Sequence, residues 1–171
     1  MKWKNIFSLA NANSRGEKNC GDNERKTGGT RAADSAAPKG EAAQEEPHYD
    51  LERFIAAQDA DYATALGELK AGHKHSHWIW YVFPQQKGLG YSYNSQYYGL
   101  CGEGEARAYL AHPILGARLR ECCRALLLHK GGDIRTIMGS DIDMKKLETS
   151  MRLFNGVSPD DVFAEVLSAF F

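Results

Sequence analysis

The sequence predicts an all-α fold, a compact single-domain bundle of about six or seven short helices with an aromatic-rich irregular segment set into it. Three observations carry this. Apolar residues recur at helical spacing through the last two thirds of the chain. Helix start and stop residues punctuate it at short intervals. No two segments alternate apolar and polar residues as paired strands do.

The bundle is assigned to residues 48–171, behind a tail over residues 1–47. From Asn11 to Pro47 there is no large apolar residue, so burial has nothing with which to offset the entropy of ordering, and a disordered tail is expected. A chain of 171 residues that is 43% hydrophobic, with a net charge of −1, fits one globular domain. Lys and Arg are not clustered in excess anywhere, which argues against nucleic acid as a partner. No apolar run reaches the roughly 18 residues of a membrane span, so no membrane association is expected. Met1–Ala10 begins with basic residues, but its apolar stretch is shorter than a secretory signal core. A cytoplasmic protein is expected, with an organellar transit peptide as the alternative, because Lys2, Lys4 and Arg15 open the chain without an acid among them.

Taken in order, the helix signals begin with Asp50, which can cap Leu51–Gln58, and Asp59 or Asp61, which can cap a second helix ending at Gly72. Glu103–Ala111 reads as a short helix stopped before Pro113, because proline pushes the residue ahead of it out of helical geometry. The next, to about His129, carries the clearest stripe: Leu115, Leu119, Cys122 and Leu126, widened by Cys123 and Leu127. Asp133 starts a brief turn closing at Gly139. Asp141 or Asp143 caps a helix with Met144, Leu147, Met151 and Phe154 on one face and Gly156 beyond its end. Ser158, with Pro159 at the first helical position, opens a last helix that turns Phe163, Val166, Leu167 and Phe170 inward.

Residues 73–98 break the pattern and hold eight of the chain's eighteen Phe, Trp and Tyr side chains. Trp78–Phe83 is read as a helix capped by Ser76 and ended by Pro84, since a lone strand would leave its backbone groups unpaired. Trp78, Trp80 and Phe83 suit a core. Yet His77, Gln85, Ser92, Asn94 and Ser95 stand among large rings, as a few placed donors and acceptors do in an apolar pocket. His73, His75 and His77 alternate, a spacing that shares a side only on an extended strand, so no metal site is expected. Gly88-Leu89-Gly90 lacks the Lys-Ser/Thr of a phosphate loop and reads as a turn. The cysteine spacing defines neither a disulfide framework nor a metal site, and Cys122 and Cys123 fall on a buried face where thiols are inert. No cofactor motif is present.

The residues Asp50-Leu51-Glu52-Arg53-Phe54 with Ala57-Gln58, Ser76-His77-Trp78-Ile79-Trp80 leading to Phe83-Pro84-Gln85, Gly88-Leu89-Gly90, Ser92 and Tyr98 carry a resemblance. So do Tyr109-Leu110, His112-Pro113, Leu115-Gly116, Lys146-Leu147, Ser150-Met151 and Leu153-Phe154. From Asp50 onward the chain resembles domain-of-unknown-function family 1810, whose bacterial members are often labelled calpastatin although nothing here is similar to that inhibitor's repeats. The resemblance implies a mainly helical fold and no established reaction. Similar proteins usually run on past the final Phe-Phe, so the resemblance implies a member without the usual short C-terminal extension. A fainter resemblance, in Glu52-Arg53-Phe54 with Ala56-Ala57-Gln58 and in the late Leu/Met-rich helix, is to YbiA-like N-glycosidases.

These readings lead to an uncharacterised domain with a small-molecule pocket for a nucleotide or ADP-ribose-like ligand, lined by His77, Trp78, Trp80, Gln85, Ser92 and Tyr98. The glycosidase resemblance implies hydrolysis there, with Glu52 stabilising an oxocarbenium-like centre and His77 or Lys146 near a phosphate or leaving group. The alternative is a non-enzymatic protein-interaction domain in which the same aromatics are core or an exposed patch. Composition does not choose between an enzyme and a binding module, nor does it indicate an oligomeric state.

Overall fold

The structure is a computed structural model that describes residues 48–171; the tail expected over 1–47 lies outside the described residues. The described chain forms eight helices: α1 (Glu52–Ala71), α2 (Ile79–Val82), α3 (Tyr93–Tyr97), α4 (Glu103–Ala111), α5 (Leu115–Leu127), α6 (Ile134–Met138), α7 (Asp141–Val157) and α8 (Val162–Phe170). An isolated parallel bridge between Gln86 and Leu100 is the extended pairing found among these residues.

The two helices expected before Gly72 are one, of 20 residues. Asp50 does not cap it: its carbonyl accepts from Arg53, and Leu51 precedes the helix without a side-chain cap. Asp59 and Asp61 do not interrupt it, because their carboxylates turn outward to tertiary partners. Asp59 takes the Arg118 guanidinium at 2.9 Å and Asp61 takes the Tyr81 hydroxyl. The buried stripe of Phe54, Gln58, Ala65 and Leu69 runs through the expected break on one face. Gly72, at φ 71°, ends the helix in the left-handed region, and the N–H groups of Gly72 and His73 close back on Leu69 and Glu68 carbonyls.

Helix α5 is the hub. Its Leu115, Leu119, Cys122, Cys123 and Leu126 are all buried, and α1, α2, α4 and α8 pack around it. At Gly116 a Cβ would stand 2.1 Å from the Leu110 carbonyl oxygen, so the tight corner between α4 and α5 requires glycine. Helix α7 packs on α2, α4, α6 and α8 and presents Leu147, Met151 and Phe154 to the core. The Cys123 thiol lies 3.6 Å from the Met151 sulfur across the α5–α7 contact. Burial pushes the Cys122 thiol up to about 12 and Cys123 upward as well, so neither is a nucleophile at neutral pH.

The caps of α7 and α8 also differ from expectation. Ser140, not Asp141 or Asp143, caps α7, accepting the Asp143 N–H at 3.1 Å, while the Asp143 carboxylate turns to lysines; the helix then continues through Gly156. Asp161, not Ser158, caps α8, because its carboxylate also holds Arg120 of α5 at 2.8 Å and so ties two packed helices together. Ser140→Ala is expected to cost about 1 kcal/mol, seen as a lower urea midpoint at unchanged slope.

Candidate functional site

The aromatic segment is positioned from two ends. At its start, the Glu68 carboxylate in the last turn of α1 accepts the backbone N–H groups of His75 and Ser76 at 3.0 Å, the Ser76 hydroxyl, and the Trp78 indole N–H at 2.7 Å. Burial works to raise its pKa, but these donors together outweigh it and bring the carboxyl down to about 2. Ser76 is thereby spent on Glu68 and does not cap the following helix, which shrinks to the single turn Ile79–Val82. Trp78 is fully buried and packs on Phe83.

At the far end, Arg53 of α1 donates to the carbonyls of Tyr97 at 3.0 Å and Gly99 at 3.4 Å, and pairs with Glu105 at 2.6 Å. Glu105 also accepts the Cys101 N–H at 2.7 Å. Between these anchors the chain folds back on itself. Leu100 N–H donates to the Gln85 carbonyl and Lys87 N–H to the Leu100 carbonyl, both at 2.9 Å. Gly99 fits only because it lacks a Cβ, which would meet Lys87 Cα at 2.7 Å and the Ser95 carbonyl oxygen at 2.8 Å. Ser92 caps α3 by accepting the Ser95 N–H.

The result is a shallow depression of about 10 Å³ lined by Trp80, Gln85, Asn94, Ser95, Tyr98 and Gly99. Tyr98 packs on Tyr81 and Phe54, with ring centres 5.1 and 5.9 Å away, and so carries the depression's floor into the core. Gln85 donates its side-chain amide to the Thr149 hydroxyl of α7. The Trp80 Nε1–H is covered and has no hydrogen-bond partner. On the face of the Trp80 ring sits the Lys146 ammonium, 4.3 Å from the ring centre. Lys146 shares the Asp143 carboxylate, at 3.1 Å, with Lys74, at 2.6 Å. Burial alone would raise the Asp143 carboxyl; the two ammonium groups, Lys74 first, outweigh it and hold it below the usual carboxylate range.

Of the expected ligand residues, Trp80, Gln85 and Tyr98 come together, joined by Asn94 and Ser95. The rest go elsewhere. Trp78 is in the core with its N–H committed to Glu68, Ser92 is a helix cap on the surface, and His77 is exposed. Glu52 is exposed in the first turn of α1, and Lys146 reaches the site only through the Trp80 ring. His73 and His75 meet edge to face at 4.3 Å, and among the described residues no group of three or more His, Cys, Asp or Glu side chains is placed to hold a metal ion.

Reading the sequence alone missed Glu68, the Arg53–Glu105 pair and the Lys74–Asp143–Lys146 group. One signal was present. A carboxylate in the last turn of a helix opposes the negative end of the macrodipole, so Glu68 at that position implied a set of donors facing it. The Arg53–Glu105 and Lys74–Asp143 pairs span 52 residues or more and leave no local trace, whereas Asp143 and Lys146 are neighbours at i, i+3 on α7.

A family model described as "Protein of unknown function (DUF1810)" matches residues 48–171. The crystal structure of the conserved hypothetical protein Rv1873 from Mycobacterium tuberculosis is similar at 41% identity, over 71% of this chain and 87% of that one, with a TM-score of 0.68. No curated protein matches the chain.

Proposed function

The chain belongs to the DUF1810 family of proteins of unknown function, and on that premise we propose that its helical domain binds a small molecule of nucleotide type on the surface around the depression beside Trp80. The observation that carries this is the Trp80 indole N–H, covered and without an acceptor, on a residue that lines the depression together with the polar residues Gln85, Asn94 and Ser95. A buried donor without a partner is costly, and a ligand acceptor that meets it recovers that cost. The depression admits about 10 Å³, room for one water-sized group, so nearly all of an ADP-ribose-sized molecule would rest on the surface around it. That surface carries exposed rings, with Tyr93 stacked on Tyr97 at 5.5 Å and Tyr97 edge-on to Tyr98.

Binding is the reading supported here, not N-glycosidic hydrolysis. The lining holds amides, hydroxyls and rings but no carboxylate to stabilise an oxocarbenium-like centre. A second reading, a protein-interaction domain, is favoured by Leu89, Tyr91 and Tyr93, which expose 51%, 98% and 76% of their surface on one short stretch.

Thermal unfolding against nucleotides and ADP-ribose tests the proposal. A ligand at about 100 times its Kd adds about 2.7 kcal/mol to the folded state and raises Tm by several degrees. The rise is expected to vanish in Trp80→Phe, which keeps an aromatic ring but removes the N–H, and to weaken in Asn94→Ala. An unshifted Tm across the whole set would discard the ligand reading in favour of the interaction domain.

A further inference from the structure

We draw no further inference here: the strongest candidate, the exposed surface patch of Leu89, Tyr91, Tyr93 and Tyr97 on α3 and the turn before it, is an unpartnered aromatic face, and nothing in the structure shows what covers it.

Discussion

Glu105→Ala is expected to cost about 3–5 kcal/mol of stability, the usual consequence of removing one partner of a buried ion pair. The Glu105 side chain is 2% exposed and that of Arg53 10%, so the guanidinium left behind stays largely shielded from water with no counter-charge. The Cys101 N–H loses its acceptor in the same step. Arg53 is also the clamp on the Tyr97 and Gly99 carbonyls, so the cost is expected to extend to the depression. Glu105→Gln retains an acceptor for Cys101 without the charge and is expected to fall between the alanine variant and the parent. Urea unfolding measures all three, and an alanine variant within about 1 kcal/mol of the parent would mean that the pair does not anchor this end of the segment.

The second large effect is expected at Glu68. Glu68→Ala removes the acceptor of four donor groups, including the indole N–H of the fully buried Trp78, and a loss of about 2–4 kcal/mol is expected. This site also has a pH signature. The carboxyl lies at about 2 in the folded protein against 4.5 ordinarily, so its contribution is complete above the unfolded value and disappears as pH falls toward the folded one. Between about pH 5 and pH 2, the parent is expected to lose roughly 1–2 kcal/mol through this group, after allowance for solvent screening of a partly exposed carboxylate. Glu68→Gln, which cannot titrate, is expected to show a shallower fall in Tm over that range. Parallel acid profiles of the two proteins would remove Glu68 as the source of acid sensitivity.

These two residues explain why the site was only half legible beforehand. Trp80, Gln85, Asn94, Ser95 and Tyr98 were recognisable as polar groups placed among rings, and the structure gathers them around one depression. His77 and Ser92 had the same composition around them and are on the surface. What separates the two sets is the direction of the backbone through residues 73–100. Glu68 gathers the start of that stretch and Arg53 with Glu105 holds its end. Neither anchor lies within it.

The helices divide the same way. Gly72 and Gly139 as stops, Asp133 as a cap, the bounds Glu103–Ala111 and the apolar stripe of α5 were all readable, because each depends on backbone conformation or side-chain spacing within a few residues. The break expected at Asp59 or Asp61 and the cap expected at Ser76 failed for one physical reason. A polar side chain able to cap a helix is equally able to serve a distant group, and the local sequence does not record the choice. Asp59 went to Arg118, Asp61 to Tyr81 and Ser76 to Glu68, while Asp161 took the α8 cap along with Arg120. By itself, then, the sequence determined the all-helical class, the family and most helix ends, which rest on short-range steric and hydrogen-bonding rules. Tertiary structure alone decided which tryptophan is core and which is wall, how the charges pair, and how small the depression is, because those depend on packing between segments far apart in the chain, such as Gln85 and Thr149, 64 residues apart.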